Sequence, residues 1–246
     1  MRRGFWFAFA AVCAATLAAC SGGTGKGPTG PTAAPRLSKT RFLAFGDSIT
    51  AGEVTTLVAG RPGGITTLAI VPSASYPTVL QSRLATAYPA QAGSIVMTNA
   101  GTSNETLLEG VARFDQVFSS SQAQVVLLQE GVNNLNLIGP DTSTGLMRIM
   151  VQQAKNAGAT VFVGSMLPTV AGRTRSQNAA ALVAYNNVLQ VMCGQENVPY
   201  VDLYNALLPD AATLIGSDGL HPNEAGYRRM ADQFFTALRT ALEQAP

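Results

Sequence analysis

Phe42-Leu43-Ala44-Phe45-Gly46-Asp47-Ser48-Ile49-Thr50 is the stretch on which the fold turns. Four apolar residues without a polar interruption suit a short strand buried on both faces, as inside a parallel sheet. Gly46 and Asp47 break that run, so Ser48 stands where the chain leaves the strand. In α/β domains, side chains reach a cleft from the loops beyond the carboxyl ends of strands.

Working outward, apolar runs of strand length recur at Ser94 to Thr98, Gln124 to Leu128, Thr160 to Val163 and Pro199 to Asp202. Helical spacing, with Ser, Thr, Asn or Asp near the starts and Gly or Pro near the ends, predicts helices over Tyr76 to Tyr88, Leu107 to Phe118 and Thr142 to Asn156, then Gln177 to Gln195 and Glu224 to Gln244. The alternation predicts a three-layer α/β/α domain around a mostly parallel five-stranded sheet. In that fold Gly46-Asp47-Ser48, Asn99-Ala100-Gly101, Glu130 to Asn134, and Asp218 with His221 meet at one edge of the sheet.

His221 is the only histidine in 246 residues, so it is the one side chain whose ordinary pKa suits acid/base work near neutral pH. A serine hydroxyl becomes a nucleophile when such a base takes its proton and a carboxylate fixes the base's tautomer. Ser48 and Asp218 are the candidates for those two parts. Asp47 reads as an acceptor for nearby backbone donors.

These segments resemble the SGNH, or GDSL-type, hydrolase family. Phe45 to Thr50 is similar to its first block, Gly101 to its second, Gly131-Val132-Asn133-Asn134 to its third, and Asp218-Gly219-Leu220-His221-Pro222 to its last. The resemblance runs through nearly the whole domain in the family's order and implies a flavodoxin-like fold without a cofactor. It also implies that Ser48 is the nucleophile, His221 the base and Asp218 its orienting partner. The oxyanion would be held by the backbone N–H groups of Ser48 and Gly101 and the side-chain amide of Asn133. Preorganised neutral donors of this kind are worth about 3 kcal/mol each. One departure is that the third block ends in Asn134 where the family usually has Asp, which bears on loop geometry rather than on the triad.

The flanks set the setting. Arg2 and Arg3 precede an apolar run from Gly4 to Ala15, as in a signal peptide over residues 1–19. Leu17-Ala18-Ala19-Cys20 resembles the lipobox of bacterial lipoproteins, which implies export and lipidation at Cys20, with the membrane as a partner. Residues 20–38 then read as the lipidated cysteine and a flexible tether, since Ser21 to Ser38 is dominated by Gly, Pro, Thr and Ala, and residues 39–246 as the hydrolase domain. A Gly25-Lys26-Gly27-Pro28-Thr29-Gly30 match to a dinucleotide fingerprint is set aside, because no strand precedes it and no helix follows.

Other classes fit poorly. Without Arg2 and Arg3 the basic and acidic side chains balance at 14 each, which gives no electrostatic reason for nucleic-acid binding. One histidine cannot supply the usual zinc ligands. No G-x-S-x-G elbow occurs, and Thr50 stands where an α/β-hydrolase needs Gly. Cys193 has no intramolecular partner and reads as a buried, inert thiol. The leading expectation is a lipid-anchored serine esterase acting on small-molecule or glycan esters. Its rivals are an O-acetyl esterase of polysaccharide or envelope glycans and a non-catalytic envelope binding protein of the same fold. Val54 to Ser73 is long for a link between elements, and it is expected to form one wall of the acyl pocket through Leu68 and Ile70, the alternative being a hairpin or extra packing layer without substrate contact.

Overall fold

The computed structural model describes residues 34–57, 66–135 and 137–245. The signal segment, Cys20, most of the tether and the Arg61 to Gly64 turn lie outside the described residues. In chain order the elements are β1 (Arg36–Leu37), β2 (Arg41–Gly46), α1 (Ser48–Ala51), β3 (Glu53–Leu57), β4 (Thr66–Ile70) and α2 (Tyr76–Ala87). There follow β5 (Val96–Gly101), α3 (Leu107–Ser121), β6 (Val125–Gln129), α4 (Pro140–Asn156), β7 (Thr160–Gly164) and α5 (Ala179–Glu196). The chain ends with β8 (Tyr200–Val201), α6 (Leu203–Leu207), α7 (Ala211–Leu214), α8 (Glu224–Leu242) and β9 (Glu243–Gln244).

The central sheet is five-stranded and wholly parallel, in the order β5-β2-β6-β7-β8. Taken by position along the chain this is 2-1-3-4-5, the flavodoxin-like order, whose switch point lies between its first and third strands. Here those are β2 and β6, and their apolar runs are buried throughout because helices cover both faces. Helices α2 and α8 pack together in one layer and α3, α4 and α5 in the other. Tyr76 stacks on Phe234 with ring centroids 5.1 Å apart to join α2 to α8, and Phe45 meets Phe114 edge-on at 5.0 Å to seat α3 on β2. Caps fix the helix starts. Thr106 and Glu109 form a reciprocal capping box on α3, and Asn178 and Asn223 cap α5 and α8. Cys193 is free and buried, and burial pushes its thiol up to about 12, which leaves it protonated and unreactive.

Several boundaries differ from the sequence reading. Strand β5 starts later and runs on to Gly101, because Pro89–Ser94 is taken by a 3-10 turn. Strand β8 is short, since Asp202 turns away to accept the backbone N–H of Asn205 at the start of α6. The segment after Gly52 is an antiparallel hairpin, β3 on β4, with Glu53 opposite Ile70 and Thr55 opposite Leu68.

The folded unit also takes in residues that composition assigned to the tether. Arg36 and Leu37 pair with Gln244 and Glu243, Leu37 is buried in the core, and its backbone N–H and C=O are both bonded by the Gln91 side chain. One leucine with a core to enter outweighs the polar residues around it. We expect Leu37→Ala to lower the unfolding free energy by about 2–4 kcal/mol, read as a fall in the urea midpoint at unchanged slope. A change within about 0.5 kcal/mol would show that β1 is peripheral.

Candidate active site

Strand β2 delivers Ser48 through a turn with no spare room. A Cβ on Gly46 would lie 1.9 Å from the Gln129 carbonyl oxygen, so β2 and β6 approach here only through glycine. Asp47 then caps α1 by accepting the Ile49 N–H at 3.0 Å, and Thr50 donates to the Gln129 carbonyl at 3.2 Å. On the other side a Cβ on Gly101 would lie 2.0 Å from the Ala51 nitrogen. Glycine at 101 is thus needed for α1 to lie against the end of β5, a packing reason rather than only an approach to substrate.

The loop before α8 brings up the histidine. Ile215 and Pro222 form an antiparallel bridge, and Gly216 N–H donates to the His221 carbonyl at 2.7 Å, closing a tight loop. Inside it Asp218 Oδ1 accepts the backbone N–H groups of Leu220 and His221, each at 3.1 Å. Asp218 Oδ2 lies 2.5 Å from His221 Nδ1, and His221 Nε2 lies 2.9 Å from Ser48 Oγ. Ser48, Asp218 and His221 are 4%, 5% and 1% exposed, so this chain of groups is screened from bulk water.

Protonation follows from the surroundings. Burial alone would push Asp218 up, but the His221 hydrogen bond and the backbone N–H groups outweigh it and hold the carboxyl below its ordinary value. An ionised Asp218 only accepts, so Nδ1 carries a proton, and in the neutral form of the ring Nε2 accepts from the Ser48 hydroxyl. That arrangement readies Ser48 to lose its proton to His221.

The expected oxyanion donors are differently placed. Ser48 opens α1, so its N–H has no intrahelical acceptor. The Gly101 N–H is engaged by Asn99 Oδ1 at 3.0 Å. Asn133 commits one amide N–H to the Glu105 carbonyl at 2.8 Å, which fixes the side chain and leaves its second N–H. Asn134 accepts the Leu107 N–H at 2.7 Å, so the residue that departs from the family pattern ties its loop to the start of α3.

Two features escaped the sequence reading. Arg113, on α3, pairs with Glu105, donates to the carbonyls of Ala100 at 2.8 Å and Gly46 at 3.3 Å, and stacks 4.0 Å from the Phe45 ring centroid. Among the described residues it is the cation beside the buried acids Glu105 and Glu130. Glu130 is raised well above its ordinary value by burial and then by the charges of Asp47 and Glu105. The second is Glu53, the first residue of β3, whose Oε2 lies 3.4 Å from His221 Nε2 while Ser103 donates to Oε1. Its signal in the sequence is only an acid directly after Gly52. The hairpin that carries it is pinned to the histidine loop, since Ser217 N–H donates to Thr55 Oγ1 at 3.1 Å.

A family model described as GDSL-like lipase/acylhydrolase matches residues 44–229. Among solved structures the chain is similar to a lipase/acylhydrolase of Enterococcus faecalis, at 20% identity and a TM-score of 0.67, covering 82% of this chain and 97% of that one. It is also similar to an acetylxylan esterase, Axe2, of Geobacillus stearothermophilus, at 20% identity and a TM-score of 0.65, over 82% and 95% of the two chains. TesA matches at 22% identity and a TM-score of 0.62, over 81% and 98%. These likenesses speak to the fold. A search of curated proteins found no match.

Asp47 carries a pH signature. Burial raises its pKa from 3.8 to about 6, against the pull of the Ile49 N–H, the His221 ring and the Gly131 N–H. Its contribution to stability is therefore full below about pH 4 and lost as pH rises through about 6. Asp218 has the opposite sign, stabilising above its unfolded pKa and losing that as pH falls through its folded one. Carboxyl-carbon NMR should show Asp47 titrating with a midpoint near 6 while Asp218 stays ionised to below the ordinary range. An Asp47 midpoint near that of free aspartate would refute this picture.

Proposed function

Because the chain belongs to the GDSL-like lipase/acylhydrolase family, we propose that it hydrolyses carboxylic esters through an acyl-enzyme on Ser48. The observation that carries this reading is the unbroken hydrogen-bonded line from Ser48 through His221 to Asp218. In the forward step His221 Nε2 takes the hydroxyl proton as Ser48 Oγ bonds to the ester carbon, and the C=O electron pair moves onto oxygen. Asp218 holds the imidazolium in place. Collapse breaks the bond to the alcohol, which leaves with the proton from Nε2, and water repeats the sequence to free the acid.

The oxyanion falls to the Ser48 N–H and to whichever donors are released to it. Asn133 has a free amide N–H, and Gly101 joins when the Asn99 side chain gives up its bond. A site that trades an internal acceptor for the substrate's oxygen gains most in the transition state, where that oxygen is charged.

A second reading, an O-acetyl esterase of glycans, is favoured by the polar Glu53 and Ser103 pair beside the histidine and suits the fold's likeness to an acetylxylan esterase. A non-catalytic binding role leaves the buried triad without a purpose. We further propose export and lipid anchoring through Cys20, on the strength of Leu17-Ala18-Ala19-Cys20 and the apolar run before it.

Ser48→Ala removes one oxygen and the covalent route with it. Ester turnover should fall by about 10⁴-fold or more with the thermal transition retained, and labelling by a fluorophosphonate should disappear. Undiminished turnover would end the proposal. Cys20→Ala should move the protein from the membrane fraction to soluble or unprocessed material on cell fractionation, and a fully processed, membrane-bound variant would rule out the lipid anchor.

A further inference from the structure

Glu53 is a buried acid beside His221 that the proposed chemistry does not use. It is 7% exposed, and its position is fixed from three sides. Gly52 ends α1 immediately before it, the Tyr227 hydroxyl of α8 donates to its backbone carbonyl at 2.6 Å, and Ser103 donates to its Oε1. Oε2 points at the ring, 3.4 Å from His221 Nε2.

That contact does not satisfy Oε2 in the resting state. With the proton on Nδ1, the neutral ring offers Nε2 as an acceptor, and two acceptors make no hydrogen bond. The Glu53 side chain keeps 10% of its surface exposed, so an occupant of the cleft that brings a donor can bond Oε2. The geometry says which part of the ester that is. The alcohol oxygen takes its proton from Nε2 and must come within hydrogen-bond reach of it, about 3 Å. Oε2 lies 3.4 Å from that same nitrogen, so a hydroxyl on the carbon next to the ester oxygen falls in its range.

Resting on the ester-hydrolase reading above, we propose that Glu53 reads the alcohol half of the substrate, selecting esters of polyols with a free hydroxyl beside the ester bond. Such a hydroxyl gives the carboxylate a charge-assisted hydrogen bond. A plain alkyl leaving group buries the carboxylate unpaired, and an anionic one is repelled. Sites built to bond a hydroxyl discriminate against analogues lacking it far more sharply than apolar pockets discriminate by size.

The test compares kcat/KM for trans-2-hydroxycyclohexyl acetate, its 2-methoxy counterpart and cyclohexyl acetate, with phenyl acetate as a general ester. The wild type should prefer the hydroxy ester to both analogues by about tenfold or more. Glu53→Ala should bring that ratio to within about threefold of unity, and Glu53→Gln, which keeps a carbonyl acceptor, should fall between. Because each ratio is internal to one enzyme, a general loss of activity does not mimic the result. A wild-type ratio near one overturns the inference with no variant needed, and so leaves it testable if Glu53→Ala fails to fold. A ratio that survives in Glu53→Ala while all four esters slow together also overturns it, and makes Glu53 a positioning partner of His221 instead. A wild type that cleaves phenyl acetate but shows no preference sinks this inference alone, whereas one that cleaves none of the esters sinks the ester-hydrolase reading with it.

Discussion

Backbone meets backbone at the carboxyl ends of β5, β2 and β6, with no room for a side-chain carbon between them. Gly46 lies against Gln129, and Gly101 lies against Ala51. That double contact fixes where α1 begins and therefore where Ser48 stands. The sharp exit is held by a cap from Asp47 and a hydrogen bond from Thr50 to the Gln129 carbonyl rather than by a long loop. Everything that approaches Ser48 later in the chain is fitted to a position that β2 and its neighbours have already set. His221 arrives on a loop closed by its own backbone bonds, and the hairpin of β3 and β4 is tied to that loop through Thr55.

The electrostatics beneath the site are unevenly balanced. Three carboxyl groups, Asp47, Glu105 and Glu130, lie buried near one guanidinium, Arg113. Burial and mutual repulsion push Asp47 and Glu130 upward, so part of the negative charge is neutralised by protons. Asp218 escapes this because three donors converge on it, and it keeps its charge where the imidazole needs it. Asp47 and Glu130, whose carboxyls are pushed up, are structural, whereas Asp218, whose carboxyl is held down, is the one that orients the base.

The sheet, its helices and the residues of the last loop were legible from the sequence because they depend on short-range rules. Apolar runs such as Phe42 to Phe45 and Gln124 to Leu128 announce buried parallel strands, and Ser, Thr, Asn or Asp near the starts announce helices. What was not legible depends on pairing across long separations. Leu37 looks like part of a polar tether until Glu243 and Gln91 close around it. Arg113 looks like a solvated helix residue until it spans the ends of β2 and β5. The segment after Gly52 leaves a pocket wall and a hairpin both open, since the hairpin register is set by the pairing of Glu53 with Ile70. The close approach of Ser48, His221 and Asp218 was expected from the resemblance, whereas the bond from Gly101 to Asn99 was not, because local hydrogen bonds of short polar side chains leave no periodic trace.

The pairing of β1 with β9 also gives the domain a direction. Both strands sit by the start of β2, and the six residues of β2 carry the chain about 17 Å from there to Ser48. The entry and exit of the fold are thus gathered at the pole opposite the serine. A pull on the residues ahead of Arg36 loads the β1–β9 seam and leaves the strand ends around Ser48 outside the line of force.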